Sequence, residues 1–159
     1  IRHHREVDRF TDCHGAVMAC VDGIKDDFGI YGPIVADVMF DHFLLDRWPS
    51  YTRIKKETFF ASIYQSLTLI RPEFPPRYKQ VVERMLERRW LRTYEDISNV
   101  AYALRRVGER FDRTTPLADA LPGIKKHYPL MAESFIRFFP ELQRFADSVT
   151  DALMSRTIG

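Results

Sequence analysis

The stretch PIVADVMFDHFLLDR, Pro33 to Arg47, decides how this chain is read. Its apolar residues recur at helical spacing rather than in strand alternation, and Pro33 suits the first turn of a helix. On that helix Asp41 projects between Ile34, Val38 and Leu45, while Asp37 and His42 flank the same apolar face. A carboxylate on an apolar face is costly unless it is hydrogen-bonded, ion-paired or bound to a metal. The same residues therefore point to an all-α fold and ask what Asp41 is for.

Upstream, HHREVDRFTD (His3 to Asp12) opens a first helix over Arg2 to His14, stopped near Gly15. A second helix covers Val17 to Asp27, before the turn signals Gly29, Gly32 and Pro33. At about 100° per residue, His4, Asp8, Thr11 and Asp12 share one arc of the first helix, whereas Val7, Phe10 and His14 lie on another. Downstream, WPSY breaks the chain. Helices follow over Ile54 to Ile70 and Arg77 to Leu91, separated by RPEFPP, whose prolines cannot continue a helix. Thr93, with Asp96 three residues later, reads as the N-cap of a helix reaching Phe111. KKHYPLMAESFIRFF and PELQRFADSVTDALMSRT read as the last two helices. With no internal repeat, low-complexity tract or dividing linker, residues 1–159 read as a single-domain helical bundle.

The totals agree. At 159 residues, with 45% hydrophobic and 29% charged residues, the chain has the composition of an ordinary globular domain and not of a disordered one. Its charge is uneven: residues 1–46 hold four Lys/Arg against nine Asp/Glu, a net of −5, and the remainder carries +7. An acidic end attracts cations and a basic body attracts phosphates or acidic partners. Cys13 and Cys20, seven apart on helical segments, are beyond disulfide reach and read as two small buried, reduced side chains. With no signal peptide and no apolar run near eighteen residues, the expectation is a cytoplasmic protein without membrane insertion.

Four of the five histidines fall within the first 42 residues, interleaved with carboxylates. Imidazole nitrogen and carboxylate oxygen together suit divalent manganese, iron or zinc, and donors four apart on a helix can share one ion. No strict metal motif such as HExxH or an EF-hand loop is met. Spacing alone leaves two readings open: a metal site, or a set of caps, surface ion pairs and satisfied core groups. His3 lies off the arc and reads as solvated. His14 reads as partly buried or as a C-cap, and His127 as surface. Phe59, Phe60, Phe135, Phe138 and Phe139 read as core.

HREVDRFTD followed by DVMFDHFL and Trp48 resembles the acyl carrier protein phosphodiesterases of bacteria, a divergent branch of the HD phosphohydrolase superfamily. The likeness continues through Pro75, Pro76 and Arg77, Trp90 and Leu91 with Tyr94, and FIRFFPEL. It implies an HD-like helical bundle that hydrolyses the phosphodiester joining phosphopantetheine to a serine of holo-acyl carrier protein. It also implies a divalent metal, manganese first and magnesium or iron as alternatives. The family's motif residues fall on His4, Asp8 and Asp12 and on Asp37, Asp41 and His42. Of these, His4, Asp8, Asp41 and His42 are the expected ligands, and Asp37 or Asp12 is expected to orient the attacking water or accept its proton. Arg5 or Arg77 is expected to neutralise the phosphate. Two departures stand out. The chain has no His-Asp dipeptide of the superfamily's kind, only the reversed Asp41-His42, and it opens at Ile1, after an acidic N-terminal segment that family members carry, so an N-terminally truncated family domain is expected.

An acidic carrier protein calls for a basic docking surface. Residues 77–113 hold ten Lys/Arg against six Asp/Glu, and Arg88, Arg89, Arg92, Arg105 and Arg106 are the candidates. Interspersed acidic residues argue against a nucleic-acid partner. The rival readings are an HD-type phosphohydrolase acting on nucleotides or other small phosphate esters, and a non-catalytic basic helical module.

Overall fold

The computed structural model describes the backbone of residues 2–70, 83, 90–111 and 115–157, and the side chains of these apart from 2–4, 70, 90, 91 and 153–157. Among the described residues every regular element is helical, so the all-α reading holds.

Helix α1 (Arg2–Cys13) gives way to α2 (Gly15–Gly23) at His14. His14 is extended, and its Nδ1 accepts the Ala16 N–H at 3.2 Å, so it caps the start of α2 and not the end of α1. The single helix expected over Val17–Asp27 is two pieces, because the chain bends at Ile24 before α3 (Lys25–Phe28). Gly29, at φ +53°, adopts a backbone shape that side chains disfavour, and a 3₁₀ turn over Gly29–Tyr31 then leads into α4 (Gly32–Asp46).

WPSY forms a single turn, α5 (Trp48–Tyr51), where a break was expected. Trp48 Nε1 donates to the Ile54 carbonyl at 2.6 Å, and α6 (Lys56–Ile70) follows. The helix expected over Arg77–Leu91 falls almost wholly outside the described residues. A 3₁₀ segment, Trp90–Glu95, precedes α7 (Ile97–Gly108). Thr93 lies within that segment, and the cap is Asp96, whose Oδ1 accepts the Ser98 N–H at 2.7 Å. A further 3₁₀ turn, Pro116–Asp119, leads into α8.

Helix α8 (Leu121–Thr157) runs through Pro129 and Pro140, so the two final helices expected from the sequence are one. An interior proline costs about 3 kcal/mol, whereas each large side chain buried contributes about 1.5–3 kcal/mol. Phe135 and Phe138 before Pro140 are buried, and Leu142 after it packs against the same core. Packing on both sides outweighs the break.

Helix α4 lies at the centre, touching α2, α7, α8 and the Trp90–Glu95 turn. Its Val35, Met39 and Phe43 are buried with Ile24, Leu104, Ile124 and Phe135. The expected aromatic core is present, with Phe135 5.5 Å from Phe40 and 5.8 Å from Phe43 between ring centres. A smaller cluster of Leu45, Trp48 and Phe60 fixes α6. Both cysteines are free; Cys20 is buried as expected, but Cys13 is exposed.

One expectation about apolar runs needs correction. Lys25–Asp46 is, among the described residues, long and apolar enough by composition to cross a membrane. Half of it is buried inside the bundle, as befits its role as the central core segment.

Candidate active site

Aromatic contacts orient α1. Phe10 stacks on Phe145 of α8 with ring centres 4.4 Å apart, and the His14 ring meets Phe138 edge-on at 5.1 Å. His14 Nε2 also stands 3.2 Å from Glu141 Oε2. With that face committed to α8, the opposite face leaves Asp8 and Asp12 exposed.

These carboxylates act on α4. Burial pushes the Asp37 carboxyl above its ordinary range, and the negative charges of Asp12 and Asp8 push it further. Asp41 is raised to about 6, first by burial and then by Asp37 one turn away. Both still keep a solvent-exposed side. Asp37 is thus within electrostatic reach of Asp8 and Asp12 on one side and of Asp41 on the other.

Tyr94 also feels these charges. Its phenol is pushed up by burial and then by Asp41 and Asp37, which places it beside them. The sequence reading used Tyr94 only as part of the family likeness; no local spacing signals its approach to α4. His42 holds this segment in place. Its Nδ1 donates to the Tyr94 carbonyl at 2.7 Å, and its Nε2 is hydrogen-bonded to the Tyr128 hydroxyl at 3.0 Å. A carbonyl can only accept, so Nδ1 carries a proton. His42 is buried, and both nitrogens are engaged inside the protein. The expectation that it ligates a metal gives way to that of a satisfied core histidine.

Beside the carboxylates lies a groove of about 840 Å³ between α2 and α4. Asp12 and Asp37 line it together with Val17, Met18, Ile34 and Phe40. In charge and donor type the carboxylates fit a hard divalent cation, which would relieve their mutual repulsion. Among the described residues, no three His, Cys, Asp or Glu side chains are grouped so as to hold one as they stand. The His4 side chain lies outside those residues.

A profile described as acyl carrier protein phosphodiesterase matches residues 1–142, from α1 into α8, and so spans the whole cluster. The chain belongs to the acyl carrier protein phosphodiesterase family. Relatives bearing that name include a Klebsiella pneumoniae (strain 342) protein, 27% identical over 146 residues, which cover 91% of this chain and 76% of the relative. Others come from Salmonella paratyphi A and Enterobacter sp. (strain 638), each 26% identical over 140 residues, 87% of this chain and 72% of the relative. No solved structure matches.

The remaining described candidates of this phosphodiesterase-family chain lie on three elements, α1, the Trp90–Glu95 turn and α7. Arg5 is exposed on α1. Arg77, Arg88 and Arg89 lie outside the described residues. Arg92 stands 3.6 Å from Glu57, Arg105 lies over the Tyr102 ring at 5.2 Å, and Arg106 pairs with Glu109 at 2.5 Å. His127, expected at the surface, is largely enclosed: its Nε2 lies 2.5 Å from Asp27 Oδ2, an oxygen that also accepts from Lys126 Nζ at 2.6 Å. These bonds hold the Asp27 carboxyl below its usual range.

Proposed function

We propose that this chain hydrolyses the phosphodiester linking 4′-phosphopantetheine to the serine of holo-acyl carrier protein, releasing apo-carrier and free phosphopantetheine. Family membership supports the substrate class. The observation that carries the chemistry is the approach of Asp8 and Asp12 of α1 to Asp37 of α4, with Asp41 one turn further on and Asp12 and Asp37 lining a groove.

In this reading a divalent cation, manganese by preference, is held by Asp8 and Asp41 with His4. When bound it supplies Lewis acidity toward a phosphoryl oxygen and lowers the pKa of water. Asp37 or Asp12, both facing the groove, orients the attacking water and takes its proton. Arg5, on the same helix as Asp8, offers a guanidinium fork to the phosphate oxygens. Tyr94, within reach of the Asp41 and Asp37 charges, has its backbone tethered by His42.

Incubation with holo-acyl carrier protein and Mn²⁺, followed by weighing of the carrier by mass spectrometry, tests the proposal. Loss of the phosphopantetheine mass is expected, and it should vanish with chelator. An unchanged carrier alongside hydrolysis of a nucleotide panel would replace this reading with that of a small-molecule phosphohydrolase.

A further inference from the structure

We propose that the groove between α2 and α4 is the cradle of the substrate's pantetheine arm, running from the carboxylates along the first turns of α4. This rests on the function proposed above and assigns a part of the substrate to a place on the chain. The scissile phosphodiester has a folded carrier protein on one side and a flexible arm on the other. A cleft of about 840 Å³ cannot admit a folded domain. Its size lies in the range of about 300–1,000 Å³ typical of small-molecule sites. Only the arm fits.

The lining matches the arm's chemistry. Pantetheine presents a gem-dimethyl group, two amides and a terminal thiol. The groove offers apolar side chains from both walls, Val17 and Met18 from α2 and Ile34 and Phe40 from α4. Asp12 and Asp22 also line it and supply acceptors for amide N–H groups. Met18 is 58% exposed, a large apolar side chain left on the wall of a concave surface. A flexible thioether suits a ligand that must slide in, and the arm would cover it. Phe40, only 8% exposed, forms the floor one turn from Asp37. From Phe40 back to Pro33 the helix rises about 10 Å, so an arm whose phosphate sits at Asp12 and Asp37 extends toward the N-terminus of α4.

The test uses D-pantetheine as probe and the 159-residue chain labelled at its methionine methyl groups, of which there are five. Titration should shift the Met18 methyl signal saturably and leave those of the buried Met39 and Met131 in place. Ala19, exposed on the groove wall, offers a blocking position. Ala19→Trp should abolish the shift and raise the KM for holo-acyl carrier protein more than about tenfold, with kcat within about twofold. Met18→Glu, a second exposed-site variant, should act in the same direction. A Met18 signal that stays fixed at saturating pantetheine, or wild-type KM in both variants, overturns the assignment. If the wild-type protein with Mn²⁺ leaves the carrier intact, the proposed reaction falls and the Met18 titration alone decides what the groove binds.

Discussion

Replacing Asp41 by Asn should stabilise the metal-free protein at neutral pH and have no such effect in acid. Burial and the neighbouring Asp37 raise the Asp41 carboxyl from 3.8 to about 6. The folded chain therefore binds this proton more tightly than the unfolded chain does, and between those two values stability falls as pH rises. The destabilisation is absent below about pH 4 and complete above about pH 6. A shift of about two units corresponds to a ceiling of about 3 kcal/mol. Asp41 keeps an exposed side, and solvent screening reduces this to about 1 kcal/mol. Urea unfolding of both proteins in EDTA, followed by far-ultraviolet circular dichroism at about pH 3.5 and about pH 7.5, measures the difference. Adding Mn²⁺ should reverse the order at neutral pH, because a cation bound at about a hundred times its Kd stabilises by about 2.7 kcal/mol and the variant offers it a neutral amide oxygen in place of an anionic one. A variant less stable than wild type in EDTA at neutral pH, or a gain that persists unchanged in acid, would refute the reasoning.

Other perturbations separate the roles of neighbouring residues. His42→Gln should cost about 2 kcal/mol in urea unfolding by breaking the bonds to the Tyr94 carbonyl and the Tyr128 hydroxyl, yet leave Mn²⁺ affinity by calorimetry within about threefold. Collapse of that affinity would restore His42 as a ligand. Gly123→Ala places a methyl 2.7 Å from Phe28 Cζ and should destabilise by about 1–3 kcal/mol in the same assay. Reversing Arg105 and Arg106 to Glu at the end of α7 should raise the KM for holo-acyl carrier protein several-fold at constant kcat. An unchanged KM would place docking elsewhere.

What the sequence conveys depends on the range of the interaction. Apolar spacing located α1, α4 and α6, since an amphipathic helix records its buried face within a few turns. It also located the carboxylates, because Asp8 with Asp12 and Asp37 with Asp41 each stand one turn apart. The histidines were harder to read. His42 is adjacent to Asp41 and shares its spacing credentials, but its fate is set by Tyr94 and Tyr128, 52 and 86 positions away. His14 and His127 find carboxylates 127 and 100 positions away. Pro140 is the converse case: a strong local stop signal was overridden by aromatic packing that no local window contains.

The arrangement also explains how like charges are kept together. Asp8 and Asp12 repel Asp37, so α1 gains nothing from facing α4 through these groups in the absence of a cation. What holds it there is elsewhere: the Phe10–Phe145 stack ties α1 to α8, and the His14–Phe138 edge contact and the His14–Glu141 pair tie the junction of α1 and α2 to the same helix. Helix α8 in turn packs on α4 through Phe135 and Phe138. The unbroken passage of α8 through Pro140 keeps Phe138 and Phe145 on one rigid element, and that rigidity fixes α1 relative to α4. The aromatic residues and the carboxylates on opposite faces of α1 are therefore two parts of one device, the first holding the second in a crowded state that a cation and a phosphate would relieve.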